Sequence, residues 1–160
     1  MRVREATSGD ASAVLALHRE AILARGPGAY DGDQVAAWAE RDDPSRYPIG
    51  DPNHEFVVCE VDDEVIAFGD LDAESGEIVG VYVHPEYDRR GVGTAVLERL
   101  ETAAADRGHG RVELTASKNA VGFYERRGYE RLEEVRHTTT DGVELDCVRM
   151  GKRLQPGEPL

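Results

Sequence analysis

The run Glu77-Ile78-Val79-Gly80-Val81-Tyr82-Val83 leads through Asp88-Arg89-Arg90-Gly91-Val92-Gly93-Thr94-Ala95 into a helical pattern. Rich in β-branched residues, the run reads as a buried strand. A strand that passes through a basic, glycine-containing turn into a helix start forms a ready anion site. The turn's N–H groups and the helix dipole converge on one spot, and glycine lets the backbone approach the anion closely. The nucleotide fingerprints do not fit. No Lys-Ser/Thr follows the glycines, and the third glycine of a dinucleotide fold is missing.

The chain has 160 residues. That length predicts one domain over residues 1–154, with a short disordered tail over 155–160. The sequence shows no charged-then-apolar leader and no apolar run long enough to span a bilayer, which predicts a cytoplasmic protein without membrane association. Cys59 and Cys147 both lie in apolar, strand-like contexts and are expected as buried, reduced thiols. The formal net charge is −13, and the only lysines are Lys118 and Lys152. Such a balance argues against nucleic acid as a partner. The acidic residues are spread along the chain rather than blocked on one face, which argues against a nucleic-acid mimic. Scarce lysine on an acidic chain is read either as adaptation to high salt or as an ordinary acidic protein. In molar salt the screening length falls to about 3 Å, so local charge decides anion binding. No metal site is expected.

Arg2 to Ala6 reads as a first strand. Thr7 and Asp10 have capping-box spacing, and Ala11, Val14, Leu15, His18, Ala21 and Ile22 recur at helical spacing. His18, on that face, is read as a core-boundary residue rather than a catalytic one. Gly26-Pro27-Gly28 breaks the helix, a second helix is expected from Asp31 to Arg41, and Arg41 to Asn53 reads as a loop. Strands follow at Glu55–Val61, Val65–Leu71 and Glu77–Val83. A helix runs from Val92 to about Arg107 and stops at Gly108-His109-Gly110. Arg111–Thr115 is a strand and Ala120–Arg127 a short helix. Tyr129–Thr138 and Val143–Met150 form a hairpin around Asp141-Gly142, whose edge offers a surface for a homodimer.

Two segments carry a family resemblance. Val83-His84-Pro85-Glu86-Tyr87-Asp88-Arg89-Arg90-Gly91-Val92-Gly93 resembles the acyl-CoA pyrophosphate loop of the GNAT (Gcn5-related) N-acetyltransferases. Ser117-Lys118-Asn119-Ala120-Val121-Gly122-Phe123-Tyr124-Glu125-Arg126-Arg127-Gly128-Tyr129 resembles that family's downstream segment. Their order and spacing match, and the resemblance extends from Met1 to about Leu154. Tyr30, Gln34, Ala37, Trp38 and Ala39 are similar to a YafP-like subgroup. The element order β-α-α-β-β-β-α-β-α-β-β is the one the family uses. It implies an α+β fold: a mixed, mainly antiparallel sheet of six to seven strands flanked by about four helices.

The resemblance implies transfer of an acetyl group from acetyl-CoA to a primary amine of a small molecule or peptide, by direct attack in a ternary complex. The pyrophosphate falls to Arg89, Arg90, Gly91, Val92, Gly93 and Thr94, and the pantetheine arm to Val81, Tyr82 and Val83, as an added strand. Gly80 marks either a bulge that opens that edge or a close packing contact. Asp88 stands where the family has Gln or Arg, and it either caps the loop or points outward. Tyr124 matches the general acid for the leaving thiolate, or is a core aromatic. Ser117 and Asn119 bond the pantetheine or cap the helix. Glu77 resembles the base of the histone-acetylating branch, or is a solvated turn residue; His84 is a weaker candidate. Tyr30 and Trp38 form an acceptor wall, or Trp38 simply packs its helix on the sheet. A catalytically silent acyl-CoA-binding module is the alternative function.

Overall fold

Strands that are apolar on both faces have to be covered on both sides, and the middle of this chain is built that way. The structure, a computed structural model, describes residues 1–40, 43–139 and 141–154. Strands β2 (His54–Val61) and β3 (Glu64–Asp72) are buried through their centres. They sit inside a seven-stranded sheet with β1 (Arg2–Glu5), β4 (Glu77–Val83), β5 (Arg111–Ser117), β6 (Glu130–Thr138) and β7 (Glu144–Arg153), in the order β1-β2-β3-β4-β5-β7-β6. Every pairing is antiparallel except β4 with β5.

Helices α1 (Ala11–Arg25) and α2 (Gly32–Ala39) cover one face, and α3 (Val92–Asp106) and α4 (Val121–Glu125) the other. The largest core cluster joins Val96, Leu97 and Leu100 of α3 to Ala67, Ile78, Leu114 and Met150. On the opposite face Val14 and Leu17 of α1 pack with Phe56, Val58 and Phe68. Gly69 sets how closely α3 approaches: a Cβ there would lie 2.6 Å from Val96 Cγ1. This seats the start of α3 beside the end of β4.

The element order is the expected one, with boundary shifts. Strand β5 continues to Ser117 and β7 to Arg153, because the two pair from Arg111 with Arg153 to Ser117 with Cys147. Helix α2 begins after Asp31, which accepts from the Gln34 N–H while Gln34 accepts from the Asp31 N–H, at 2.8 and 3.0 Å. It ends at Ala39; the expected end at Arg41 and the tail over 155–160 lie outside the described residues. Cys59 and Cys147 are buried and free. His18 is buried, and its Nδ1 lies 3.0 Å from the Tyr47 hydroxyl.

The Thr7–Asp10 capping box is present, at a 3-10 turn that leads into α1. Asp10 accepts from the Thr7 N–H at 2.8 Å and from two nitrogens of Arg4 at 2.8 and 3.0 Å. The hydrogen bonds from Arg4 outweigh burial and hold its carboxyl down at about 2. Asp10→Asn is expected to cost about 1–2 kcal/mol at neutral pH, measured by urea unfolding. The wild-type advantage is fully present above the ordinary value of 3.8 and lost as pH falls towards about 2. An equal stability gap at pH 7 and at pH 2 would contradict this origin.

Candidate active site

The site begins where β4 and β5 part. Among the described residues the parallel pairing covers only Glu77 with Glu113 and Ile78 with Leu114. Just beyond, the β3–β4 register shifts: Asp70 faces Gly80 while Leu71 faces Ile78, leaving Val79 as the extra residue of a bulge. Val79 is 56% exposed in an otherwise apolar strand. The bulge is thus one residue from the glycine that signalled it. Gly80 also serves the close packing read from sequence, since a Cβ there would lie 2.7 Å from the Tyr82 ring.

Backbone direction past the bulge follows from one hydrogen bond. The His84 N–H donates to the Ile66 carbonyl at 2.8 Å. In an antiparallel ladder, hydrogen-bonded and non-hydrogen-bonded pairs alternate. His84, Tyr82 and Gly80 therefore bond to β3. Val81 and Val83, opposite Gly69 and Ala67, direct their N–H and C=O groups away from β3, into the opening beside β5. Among the described residues no β5 partner pairs with β4 beyond Ile78.

The loop above this opening has two left-handed residues, Arg89 at φ +62° and Gly91 at φ +79°. For arginine that is a strained conformation. Left-handed residues placed close together curl the N–H groups into an anion-binding concavity. Gly91 is also the N-cap of α3, so no cap side chain occupies the first-turn donors of Val92, Gly93 and Thr94. A Cβ on Gly91 would meet nothing within 4 Å, so no neighbouring atom crowds this side of the loop. Gly93 has a different role: its Cβ would lie 3.1 Å from the Phe123 ring, so this glycine seats α4 against α3. The Thr94 hydroxyl accepts from Arg127 Nε at 2.7 Å, and the Arg127 guanidinium lies 3.9 Å from the Phe123 centroid.

Positive charge gathers here on an otherwise acidic chain. Arg90 lies 5.4 Å from the Tyr87 centroid, Arg127 braces the helix start, and Arg89 and Arg90 enter no salt bridge among the described residues. Asp88 does not stand alone: Arg25, at the end of α1, donates to its carboxylate. Arg25 and Arg127 carry no role in the sequence reading. Arg127 lies inside the quoted segment, whereas nothing local marks Arg25.

Tyr124 is 6% exposed and packs edge-on against Phe123 and Tyr129. Burial, with a smaller contribution from Tyr82, pushes its phenol well above the ordinary range, so it holds its proton at neutral pH. Among the described residues its hydroxyl forms no hydrogen bond. Ser117 ends β5 and gives no side-chain cap to the turn that follows, and Asn119 is exposed in that turn.

Glu77 stands at the closed vertex of the opening rather than along its arms. Its carboxylate accepts from both terminal nitrogens of Arg149, at 2.6 and 2.8 Å, and Arg149 also reaches Glu113 at 3.1 Å. Four residues of strand, about 13 Å, separate it from Val81. His84 is engaged as well: its Nδ1 accepts from the Glu86 N–H at 3.1 Å, which puts the ring proton on Nε2, 2.8 Å from Glu20. Tyr30 is buried; its hydroxyl donates to the Asp146 carbonyl at 2.7 Å and accepts from the Lys118 N–H at 3.0 Å. Trp38 packs edge-on against Tyr30, in a cluster with Leu145 and Cys147. Tyr30, just before α2, and Trp38, on it, thus pack this corner against β7.

Among the described residues no cluster of three or more His, Cys, Asp or Glu is gathered to hold a metal, and no helix is long and apolar enough to cross a membrane. Residues 28–154 match the family profile described as "Acetyltransferase (GNAT) domain". A GCN5-related N-acetyltransferase structure from Rhodopseudomonas palustris superposes with a TM-score of 0.89 at 27% identity, over 96% of this chain and 95% of that one. The PaiA N-acetyltransferase of Thermoplasma acidophilum, solved with coenzyme A, superposes at 0.76 with 20% identity, over 95% and 98%. YncA of Salmonella typhimurium, solved with its cofactor acetyl-CoA, superposes at 0.65 with 22% identity, over 100% and 97%. The chain belongs to the GNAT acetyltransferase family, and its class of reaction is acyl transfer.

The two glycines of the loop separate in their expected effects. Gly91→Val puts a β-branched residue at a left-handed position beneath the anion space, and coenzyme A affinity should fall at least tenfold, about 1.4 kcal/mol. Gly93→Val presses on Phe123 and should act first on thermal stability. Calorimetric titration of folded Gly91→Val with unchanged affinity would remove the loop from the binding site.

Proposed function

We propose that the chain transfers the acetyl group of acetyl-CoA to a primary amine of a small molecule or peptide, by direct attack within a ternary complex. One observation carries the reading: the main-chain groups of Val81 and Val83 face an opening that leads to an anion-shaped loop. The pantetheine arm pairs with that edge like an extra strand. The pyrophosphate lies on the N–H groups of Arg89 to Thr94, with Ser117 and Asn119 at the far wall. PaiA and YncA, whose structures hold coenzyme A and acetyl-CoA, supply the fold analogy.

In this reading the amine nitrogen attacks the thioester carbonyl, whose oxygen is polarised by the Val81 N–H. The carbon–sulfur bond breaks, and Tyr124 gives its proton to the departing thiolate. The amine's proton leaves through water towards Glu77, which Arg149 holds in place. Tyr30 and Trp38 shape the acceptor wall by packing, since the Tyr30 hydroxyl is already bonded to main chain.

A second reading, a catalytically silent acyl-CoA-binding module, draws on the engagement of Glu77 by Arg149. Thiol release from acetyl-CoA across an amine panel separates the two. For the enzyme, Tyr124→Phe should lower kcat by ~10²–10⁴-fold while coenzyme affinity stays within about twofold, because the lost donor acts in the transition state. Near-normal kcat in that variant would leave Tyr124 a packing residue; absence of turnover in the wild type with every amine would favour the silent module.

A further inference from the structure

The Asp88 side chain, directly before Arg89, sets a charge against a polyanionic ligand, and the fold answers it from a distant segment. Arg25, in the last turn of α1, donates to Asp88 Oδ1. Earlier on the same helix, Glu20 Oε2 lies 2.8 Å from His84 Nε2. Helix α1 is thus joined to both ends of the His84–Asp88 connection that carries β4 into the coenzyme loop. Arg25 is also followed directly by the Gly26–Gly28 turn and by Tyr30, the start of the α1–α2 corner.

We propose that Arg25 is a positioning residue of the coenzyme site: its bridge to Asp88 neutralises and turns aside the loop's carboxylate and docks the α1–α2 corner against the coenzyme loop. The inference rests on the acetyl-CoA reading above. The bridge's contribution to global stability is small, because both side chains are partly exposed, at 27% and 47%, and such pairs are worth little in water. Its effect is local. Asp88 immediately precedes left-handed Arg89, so the direction of its carboxylate decides whether the anion site faces a negative charge. The bridge also gives Asp88 a use: among the described residues it is, with Glu20–His84, one of two side-chain polar ties between α1 and the His84–Asp88 connection, and the one next to the corner that carries Tyr30 and Trp38.

The test is a double-mutant cycle of Arg25→Gln, Asp88→Asn and the pair, with coenzyme A binding followed by titration calorimetry at low and high salt. Arg25→Gln leaves Asp88 uncompensated and should weaken binding about tenfold at low salt, with the loss shrinking as salt screens it. Adding Asp88→Asn should restore at least fivefold of that loss, a coupling of about 1 kcal/mol. In ligand-free protein, amide exchange over residues 84–91 should quicken in Arg25→Gln, a readout that needs no coenzyme. Single-variant effects that simply multiply, or unchanged exchange, would overturn the bridge. Wild-type protein that takes up no coenzyme A would overturn the functional reading before any variant is compared.

Discussion

Everything at the site depends on two strands that start as a pair and do not finish as one. Among the described residues parallel β4 and β5 pair only at Glu77 with Glu113 and Ile78 with Leu114, and an unpaired main-chain edge inside a sheet is costly unless something else bonds to it. The bulge at Val79 re-aims β4 at that point. The ladder with β3 then directs Val81 and Val83 into the opening. The main-chain groups that β5 leaves without a partner are of the kind an amide-bearing arm can bond to, and the proposed pantetheine site uses them.

Around the opening, packing supplies the geometry and arginine the charge. Gly69 lets α3 settle on β3, and Gly93 lets Phe123 of α4 settle on α3, so the helix start lies directly above the end of β4. Arg127 reaches in from the turn after α4 and Arg25 from the last turn of α1, while Arg89 and Arg90 stand in the loop itself. The net charge of −13 describes the whole chain, but screening confines each charge to its neighbourhood. An acidic protein can therefore carry a locally cationic loop.

The parts of this arrangement legible in the sequence are those set by neighbours along the chain. The strand–loop–helix junction, the Thr7–Asp10 cap and the Asp141-Gly142 turn are local chemistry, and their elements fall where expected. Gly80 signalled the bulge, although the extra residue is Val79, because the register is decided by pairing with β3 rather than by the glycine alone. Three contacts left no local trace. Arg25 meets Asp88, Arg149 clamps Glu77, and Tyr30 bonds to Asp146 and Lys118 across long stretches of chain. Each changes how a residue named from sequence functions: Asp88 becomes a tethered charge, Glu77 an ion-paired carboxylate, and Tyr30 a structural hub. Side-chain partners brought together by topology carry no periodicity or spacing, so they become visible only once the sheet order is known.

The central claim is that the β4 edge at Val81 and Val83 receives the pantetheine arm. A crystal structure of the protein with coenzyme A tests it most directly. The account predicts main-chain hydrogen bonds from Val81 or Val83 to the pantetheine amides, with the pyrophosphate on the N–H groups of residues 89–94. Coenzyme A bound elsewhere, or a pantetheine arm running past β4 without touching its main chain, would contradict it.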